Sequence, residues 1–259
     1  MANPSAPGSG RWFQPATVDP QAELRIILFH NTGSSASMWR EWLRLLPADL
    51  AAQCIQLPGR QERLGEAAYT DFAALAEAVC DELSVELDDR PYAFFGHSMG
   101  AQLAYRTAVA LERAGVPGPA LIGAAAWAPE GFHTVTPEQA QLPEQELLGW
   151  LSSLGSLPVD AYADPAMRPL VIPALRADLL ACAGYVDDGA AVTSPVVTYS
   201  AREDPLLARD AMASWASRTP EYLGNCQFPG GHFFIHQEAL AVALDFVRLF
   251  RRCVSAVAG

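Results

Sequence analysis

The stretch Tyr92-Ala93-Phe94-Phe95-Gly96-His97-Ser98-Met99-Gly100-Ala101 sets a short apolar run against a serine flanked by glycines. Residues 92–95, largely aromatic, predict a buried strand, and residues 98 to about 114 carry the apolar spacing of a helix. Gly96-His97-Ser98-Met99-Gly100, a G-x-S-x-G pentapeptide, therefore falls on a sharp strand-to-helix turn. Such a turn drives its central residue into an unfavourable backbone conformation, and small glycines avoid the clashes that side chains would make there. The serine Oγ projects from the turn, beside a helix N-terminus whose positive potential favours a developing anion. That placement predicts Ser98 as the nucleophile of an acyl-transfer reaction.

Upstream, Leu24 to Phe29 reads as a buried strand entering the polar loop Asn31-Thr32-Gly33-Ser34. Met38, Trp39, Trp42, Leu45 and Leu46 share helical spacing, and residues 54–57 read as a strand stopped by Pro58-Gly59. Phe72, Leu75, Ala76, Val79 and Leu83 lie on one face of a helix that Thr70 or Asp71 can cap and that runs to about Leu87. Downstream, strands are expected at 120–127, 195–200 and 222–228, and helices at about 210–218 and 237–252. This alternation implies a mostly parallel sheet covered on both faces. Residues 131–188 interrupt it with helical patterns at 144–154 and 173–185 and no strand, which predicts a helical lid over the C-terminal edge of the sheet. The expectation is a single α/β domain over residues 1–259, of α/β-hydrolase fold, with a lid insertion at about 131–188. Residues 2–10, rich in Pro, Ala, Gly and Ser, are expected to be disordered.

A serine hydroxyl is a poor nucleophile at neutral pH and needs a base, itself oriented by an acid. In this fold the base lies after the last strand and the acid after an earlier one, in the chain order Ser, Asp, His. His232 follows the strand at 222–228 in the loop Pro229-Gly230-Gly231-His232-Phe233-Phe234 and is the expected base. His30 and His97 border other loops, His133 lies in the expected lid, and His236 starts the final helix. Asp204, in Ala201-Arg202-Glu203-Asp204-Pro205, is the expected acid, held extended by the proline that follows it, with Glu203 as the immediate rival. The tetrahedral anion needs two backbone donors. Met99 supplies one, and Thr32 is the expected second, with Gly33 as runner-up.

A formal charge of −12 with no basic run opposes binding to nucleic-acid phosphates or anionic lipid. No apolar run approaches the ~20 residues of a membrane span, and residues 1–10 lack the pattern of a signal peptide, so a cytoplasmic protein is expected. Cys54, Cys80, Cys182, Cys226 and Cys253 are scattered and contain no C-x-x-C pair, which argues against a disulfide framework and a zinc site. No metal is expected.

Several segments together resemble the type II thioesterases that accompany polyketide synthases and nonribosomal peptide synthetases. They are Gly96-His97-Ser98-Met99-Gly100-Ala101, Leu57-Pro58-Gly59-Arg60 with Glu62-Arg63, Pro173-Ala174-Leu175-Arg176-Ala177-Asp178, and Gly231-His232-Phe233-Phe234. The resemblance implies an editing enzyme that hydrolyses aberrant or stalled short acyl groups from the phosphopantetheine arm of an acyl or peptidyl carrier protein, with no cofactor of its own. It implies a lid over a tunnel for that arm, and the protein is expected to act as a monomer. Two positions depart from the family pattern. Phe29-His30-Asn31-Thr32-Gly33-Ser34 stands where F-P-H-A-G-G is usual, so the β-branched Thr32 is expected to narrow the acyl site or alter its rate. Gly231 stands where the family often has Asp, and carries no catalytic role here. Arg60, Arg63, Arg176 and Asp178 are expected to make structural pairs, and Met38, Trp39 and Trp42 to be core. The alternatives are a carboxylesterase acting on free esters, since the same triad cleaves both, and a non-catalytic acyl-carrier-binding subunit, which predicts a degraded triad.

Overall fold

The computed structural model describes residues 11–154, 162 and 164–257. Residues 2–10, and residues 155–161 and 163 of the expected lid, lie outside the described residues. The strands are β1 (Phe13–Gln14), β2 (Leu24–Phe29), β3 (Leu50–Ile55), β4 (Tyr92–His97), β5 (Leu121–Ala125), β6 (Val196–Ala201) and β7 (Tyr222–Phe228). They form one sheet in the order β1-β3-β2-β4-β5-β6-β7. Among the described strands only β1 runs antiparallel to its neighbour.

Period-two alternation divides the core. In β2, Ile27 and Phe29 join Phe94 of β4 on one face, against the buried sides of α2 (Phe72–Glu86) and α3 (Met99–Arg113). Ile26 and Leu28 face the other way with Phe95, toward α1 (Arg40–Leu45) and α7 (Ala239–Val257). Phe95 anchors that second layer: the rings of Trp39, Trp42, Tyr199 and Phe246 lie 5.7, 4.4, 5.7 and 5.0 Å from its centroid. Truncating such a residue to Ala costs about 3–5 kcal/mol. The α2 start follows the expected cap, with the Asp71 carboxylate accepting the Ala74 N–H at 2.7 Å.

Between β5 and β6 the described residues form α4 (Pro137–Ala140), α5 (Glu144–Ser153) and α6 (Arg168–Gly184). α6 starts five residues before the expected 173, with Pro169 in its first turn, where a missing N–H is harmless, and Pro173 inside it. Two further expectations are corrected, and one strand is new. β3 begins at Leu50 rather than at residue 54, because four residues of mixed polarity pair in parallel with β2. The segment expected as a helix at 210–218 is a 3₁₀ turn, Ala211–Ser217, closed by i to i+3 bonds such as Ala213 N–H to Asp210 C=O. β1 was not foreseen, two residues being too short to show a period.

The sheet order places the site. From β2 the chain steps outward to β3, then returns past β2 to β4. The loops leaving β2 and β4 therefore diverge at a switch point, where open parallel sheets form their binding crevice. Residues 30–35 and Ser98 are the two sides of that crevice.

Candidate active site

Ser98 follows β4 and caps α3 with φ 55° and ψ −121°, a conformation that costs a non-glycine residue about 1–3 kcal/mol. Its N–H donates to Ala125 C=O at 2.7 Å, tying the turn to β5. Both flanking glycines are required sterically. A Cβ on Gly96 would strike the Gly100 backbone, and a Cβ on Gly100 would collide with the carbonyl oxygen of Phe29 and lie 2.7 Å from that of His30.

Three side chains from three strand ends form a hydrogen-bonded chain. His232 Nε2 lies 2.9 Å from Ser98 Oγ, and His232 Nδ1 lies 2.9 Å from Asp204 Oδ2. A carboxylate only accepts, so Nδ1 carries the proton and Nε2 is left free to take one from the serine. The other Asp204 oxygen accepts the Leu206 N–H at 2.9 Å, which fixes the carboxylate plane. All three residues are buried, whereas Glu203 points into solvent. Of the two candidate acids, only Asp204 touches His232.

His97 was not singled out by its sequence context, yet it braces this chain. Its Nε2 donates to the His232 backbone carbonyl at 2.8 Å, and its ring packs 5.2 Å from the His232 ring. Burial, with His232 beside it, holds its pKa well below 6.5 and keeps it neutral.

The loop after β2 closes the opposite wall. Met99, the first residue of α3, has an N–H with no intrahelical acceptor. Thr32 and Met99 line one cavity with Ser98 and His232. Among the described residues the Thr32 N–H meets no protein acceptor, whereas the Gly33 N–H donates to Asp178 Oδ2 at 2.8 Å. Asp178 is gripped in turn by Arg60 through two 2.7 Å bonds. Arg63 pairs with Glu66 at 2.6 Å and lies over the Trp12 ring, and Arg176 donates to the carbonyls of Ala140 and Leu142. Arg60, Asp178 and Arg63 pair as expected, whereas Arg176 holds backbone carbonyls instead of a carboxylate, and the tie from Asp178 to Gly33 was invisible in the sequence. His30 donates from Nδ1 to Asn31 C=O at 2.9 Å, and burial, with Arg60 nearby, lowers its pKa to about 4.

The cavity measures ≈ 580 Å³ and is walled by apolar side chains from the inserted helices, among them Trp150, Leu154, Val171, Ala174 and Leu175. Met38 lines it too, which corrects the expectation that it is core, while Trp39 and Trp42 are buried beneath. His133 and His236 reach the same cavity. Among the described residues no group of three or more His, Cys, Asp or Glu side chains is placed to hold a metal ion, and no helix is long and apolar enough to cross a membrane.

Residues 24–248 match the family profile of the thioesterase domain. Gramicidin S biosynthesis protein GrsT of Aneurinibacillus migulanus is 28% identical over 229 residues, which cover 88% of this chain and 89% of the relative. Among solved structures, the RedJ thioesterase from the prodiginine biosynthetic pathway of Streptomyces coelicolor is 32% identical with a TM-score of 0.76, over 85% of this chain and 89% of that one. The type II thioesterase BorB from the borrelidin biosynthetic cluster is 26% identical with a TM-score of 0.81, over 90% and 94%. With a profile spanning most of its length and a shared α/β-hydrolase architecture, the chain belongs to the thioesterase family, hydrolases that act on thioesters.

Proposed function

We propose that this enzyme is an editing thioesterase that clears aberrant or stalled short acyl groups from the phosphopantetheine arm of a carrier protein in polyketide or nonribosomal peptide synthesis. The observation that carries this reading is the Ser98–His232–Asp204 hydrogen-bonded chain opening on an apolar cavity, in a chain of the thioesterase family. The names of its relatives supply the pathway: gramicidin S, prodiginine and borrelidin synthesis.

Ser98 Oγ attacks the thioester carbonyl carbon while its proton passes to His232 Nε2. Asp204 holds the imidazole and offsets its charge. The Met99 and Thr32 N–H groups receive the developing oxyanion, each such donor contributing about 10²–10³ in rate. Collapse breaks the C–S bond, and His232 returns the proton to the departing pantetheine thiolate. Water, deprotonated by His232, then attacks the acyl-serine; the bond to Ser98 Oγ breaks, His232 returns the proton to Oγ, and the acid is released. The sequence needs no metal or diffusible cofactor, and the inserted helices serve as a lid on a single catalytic domain. The enzyme works as a cytoplasmic monomer, a compartment that fits five cysteines with no disulfide among them.

The test is release of short acyl groups from an acyl-phosphopantetheinyl carrier protein, beside hydrolysis of a p-nitrophenyl ester, by wild type and Ser98→Ala. Carrier deacylation that disappears in Ser98→Ala supports the reading. Ester cleavage without carrier deacylation points to a free-ester esterase, and turnover of neither points to a carrier-binding subunit.

A further inference from the structure

Gly33 is held on both sides by residues distant in the chain. Its N–H donates to Asp178 of α6, and its carbonyl accepts the Tyr162 hydroxyl at 2.7 Å. Arg60 completes the arrangement: its guanidinium grips both Asp178 oxygens and donates to Ser34 C=O at 3.0 Å. The carbonyl of the same Thr32–Gly33 peptide accepts Asn31 Nδ2 at 3.1 Å, so that peptide plane is pinned at both its polar ends. Gly33 has φ +71°, and a Cβ there would collide with the Tyr162 hydroxyl and lie 2.7 Å from Leu175 Cδ1.

The ion pair is almost fully out of water, with Arg60 6% and Asp178 2% exposed. Stability alone does not explain it, because the desolvation of two buried charges consumes most of their attraction, and well-packed apolar side chains of similar volume often do as well. Apolar side chains, however, cannot accept an N–H and donate to a carbonyl at fixed points. Electrostatics add a second reason. A bare carboxylate one residue from the Thr32 amide would oppose the oxyanion that forms there, and bidentate pairing with Arg60 cancels that charge.

We propose that Arg60 and Asp178 are positioning residues for the oxyanion loop: they commit the Gly33 amide to Asp178 and thereby fix the Thr32 amide toward the reacting carbonyl at Ser98. The inference rests on the thioesterase reading above and deepens it. It makes catalytic rate, rather than substrate affinity or fold stability, the property that the pair serves.

The test compares wild type, Asp178→Asn, and the double variant Arg60→Met with Asp178→Leu. The readouts are melting temperature, kcat and KM for Ser98-dependent carrier deacylation, and amide hydrogen exchange at Gly33. The double variant is expected to melt near wild type, because it leaves no unpaired buried charge. Its kcat is expected to fall about 100-fold, the scale of one lost oxyanion donor, with KM within about threefold and faster exchange at Gly33. Asp178→Asn, which keeps an acceptor but strands Arg60, should lose melting temperature and a smaller part of kcat. A double variant that melts normally and keeps wild-type kcat overturns the proposal, as does a loss of kcat with Gly33 exchange unchanged. A wild type without Ser98-dependent turnover overturns instead the thioesterase reading, and the inference with it.

Discussion

Replacing Asp204 with asparagine changes one atom and should disable the base. Asp204 Oδ1 accepts the Leu206 N–H and Oδ2 accepts the His232 Nδ1–H. An asparagine has one acceptor and one donor for these two sites. If its oxygen takes the Leu206 N–H, its NH₂ faces His232 Nδ1, which must then accept, and the imidazole proton moves to Nε2. That tautomer cannot receive the Ser98 proton. Restoring the working tautomer requires the amide to flip, which sets its NH₂ against the Leu206 N–H and strands two buried donors. At about 2 kcal/mol for each, the flip costs about 4 kcal/mol. With about 1.4 kcal/mol per factor of ten, kcat should fall about 10³-fold, and more once the lost stabilisation of the imidazolium is added.

Single-turnover deacylation of an acyl carrier protein reads this directly, with thermal melting to show that the variant is folded. KM should stay within about threefold, because Asp204 makes no direct contact with substrate in this mechanism. Glu203→Gln is the control: the side chain is exposed, and turnover should match wild type. A folded Asp204→Asn enzyme that keeps more than about a tenth of wild-type kcat would refute the assignment of Asp204 as the orienting acid.

The strained turn at Ser98 predicts an inverted stability order: Ser98→Gly should be more stable to urea than Ser98→Ala by about 1 kcal/mol, because alanine must still hold φ 55° and glycine need not. Equal midpoints would mean the turn stores no strain. Gly100→Ala drives a Cβ into the Phe29 and His30 carbonyls, which belong to backbone and cannot rotate away. The expected destabilisation is about 2 kcal/mol, a melting shift of about 4–8 °C, and an unchanged melt would contradict the close approach. Burial, with the Arg60 charge nearby, lowers the pKa of His30 to about 4 against 6.5 unfolded. The unfolded chain therefore binds the extra proton first, so the stability contributed by neutral His30 is complete above pH 6.5 and lost as pH falls toward 4, about 2 kcal/mol by pH 5. Urea midpoints of wild type and His30→Gln at pH 7 and pH 5 test this, the variant showing the shallower dependence. Ala174 is buried against the cavity, and Ala174→Phe should lower kcat/KM for longer acyl groups at least tenfold relative to acetyl, whereas an unchanged chain-length profile would place the acyl chain elsewhere.

Features whose cause is local are legible in the sequence. Aromatic β4 running into Gly96-His97-Ser98 predicted the turn, and the backbone there is strained in the way the motif requires. The bounds of β2 are legible because its largely apolar run stops at a polar loop, and the end of β7 because Pro229-Gly230 follows it. Periodicity carries no signal over too few residues: β1 has two, and the 3₁₀ turn at Ala211–Ser217 is too short to separate from an α-helix by spacing. Met38 was assigned to the core because a helical stripe shows which side is apolar and not whether that side meets protein or a void.

The site divides along the same physical line. In a parallel sheet every strand delivers its following loop to one edge, so chain order alone sends residues 30–35, Ser98, Asp204 and His232 to a common place. That is why side chains separated by up to 134 residues could be expected at one place from sequence. The groups that support them obey no such rule. Asp178 reaches Gly33 across 145 residues from an inserted helix, and Arg60 reaches Asp178 across 118 from a turn after β3. His97 acts through a backbone carbonyl, which carries no residue identity for a motif to record. Chemistry is thus legible where the sheet dictates convergence, and precision of the site must be read from contacts that only the folded chain creates.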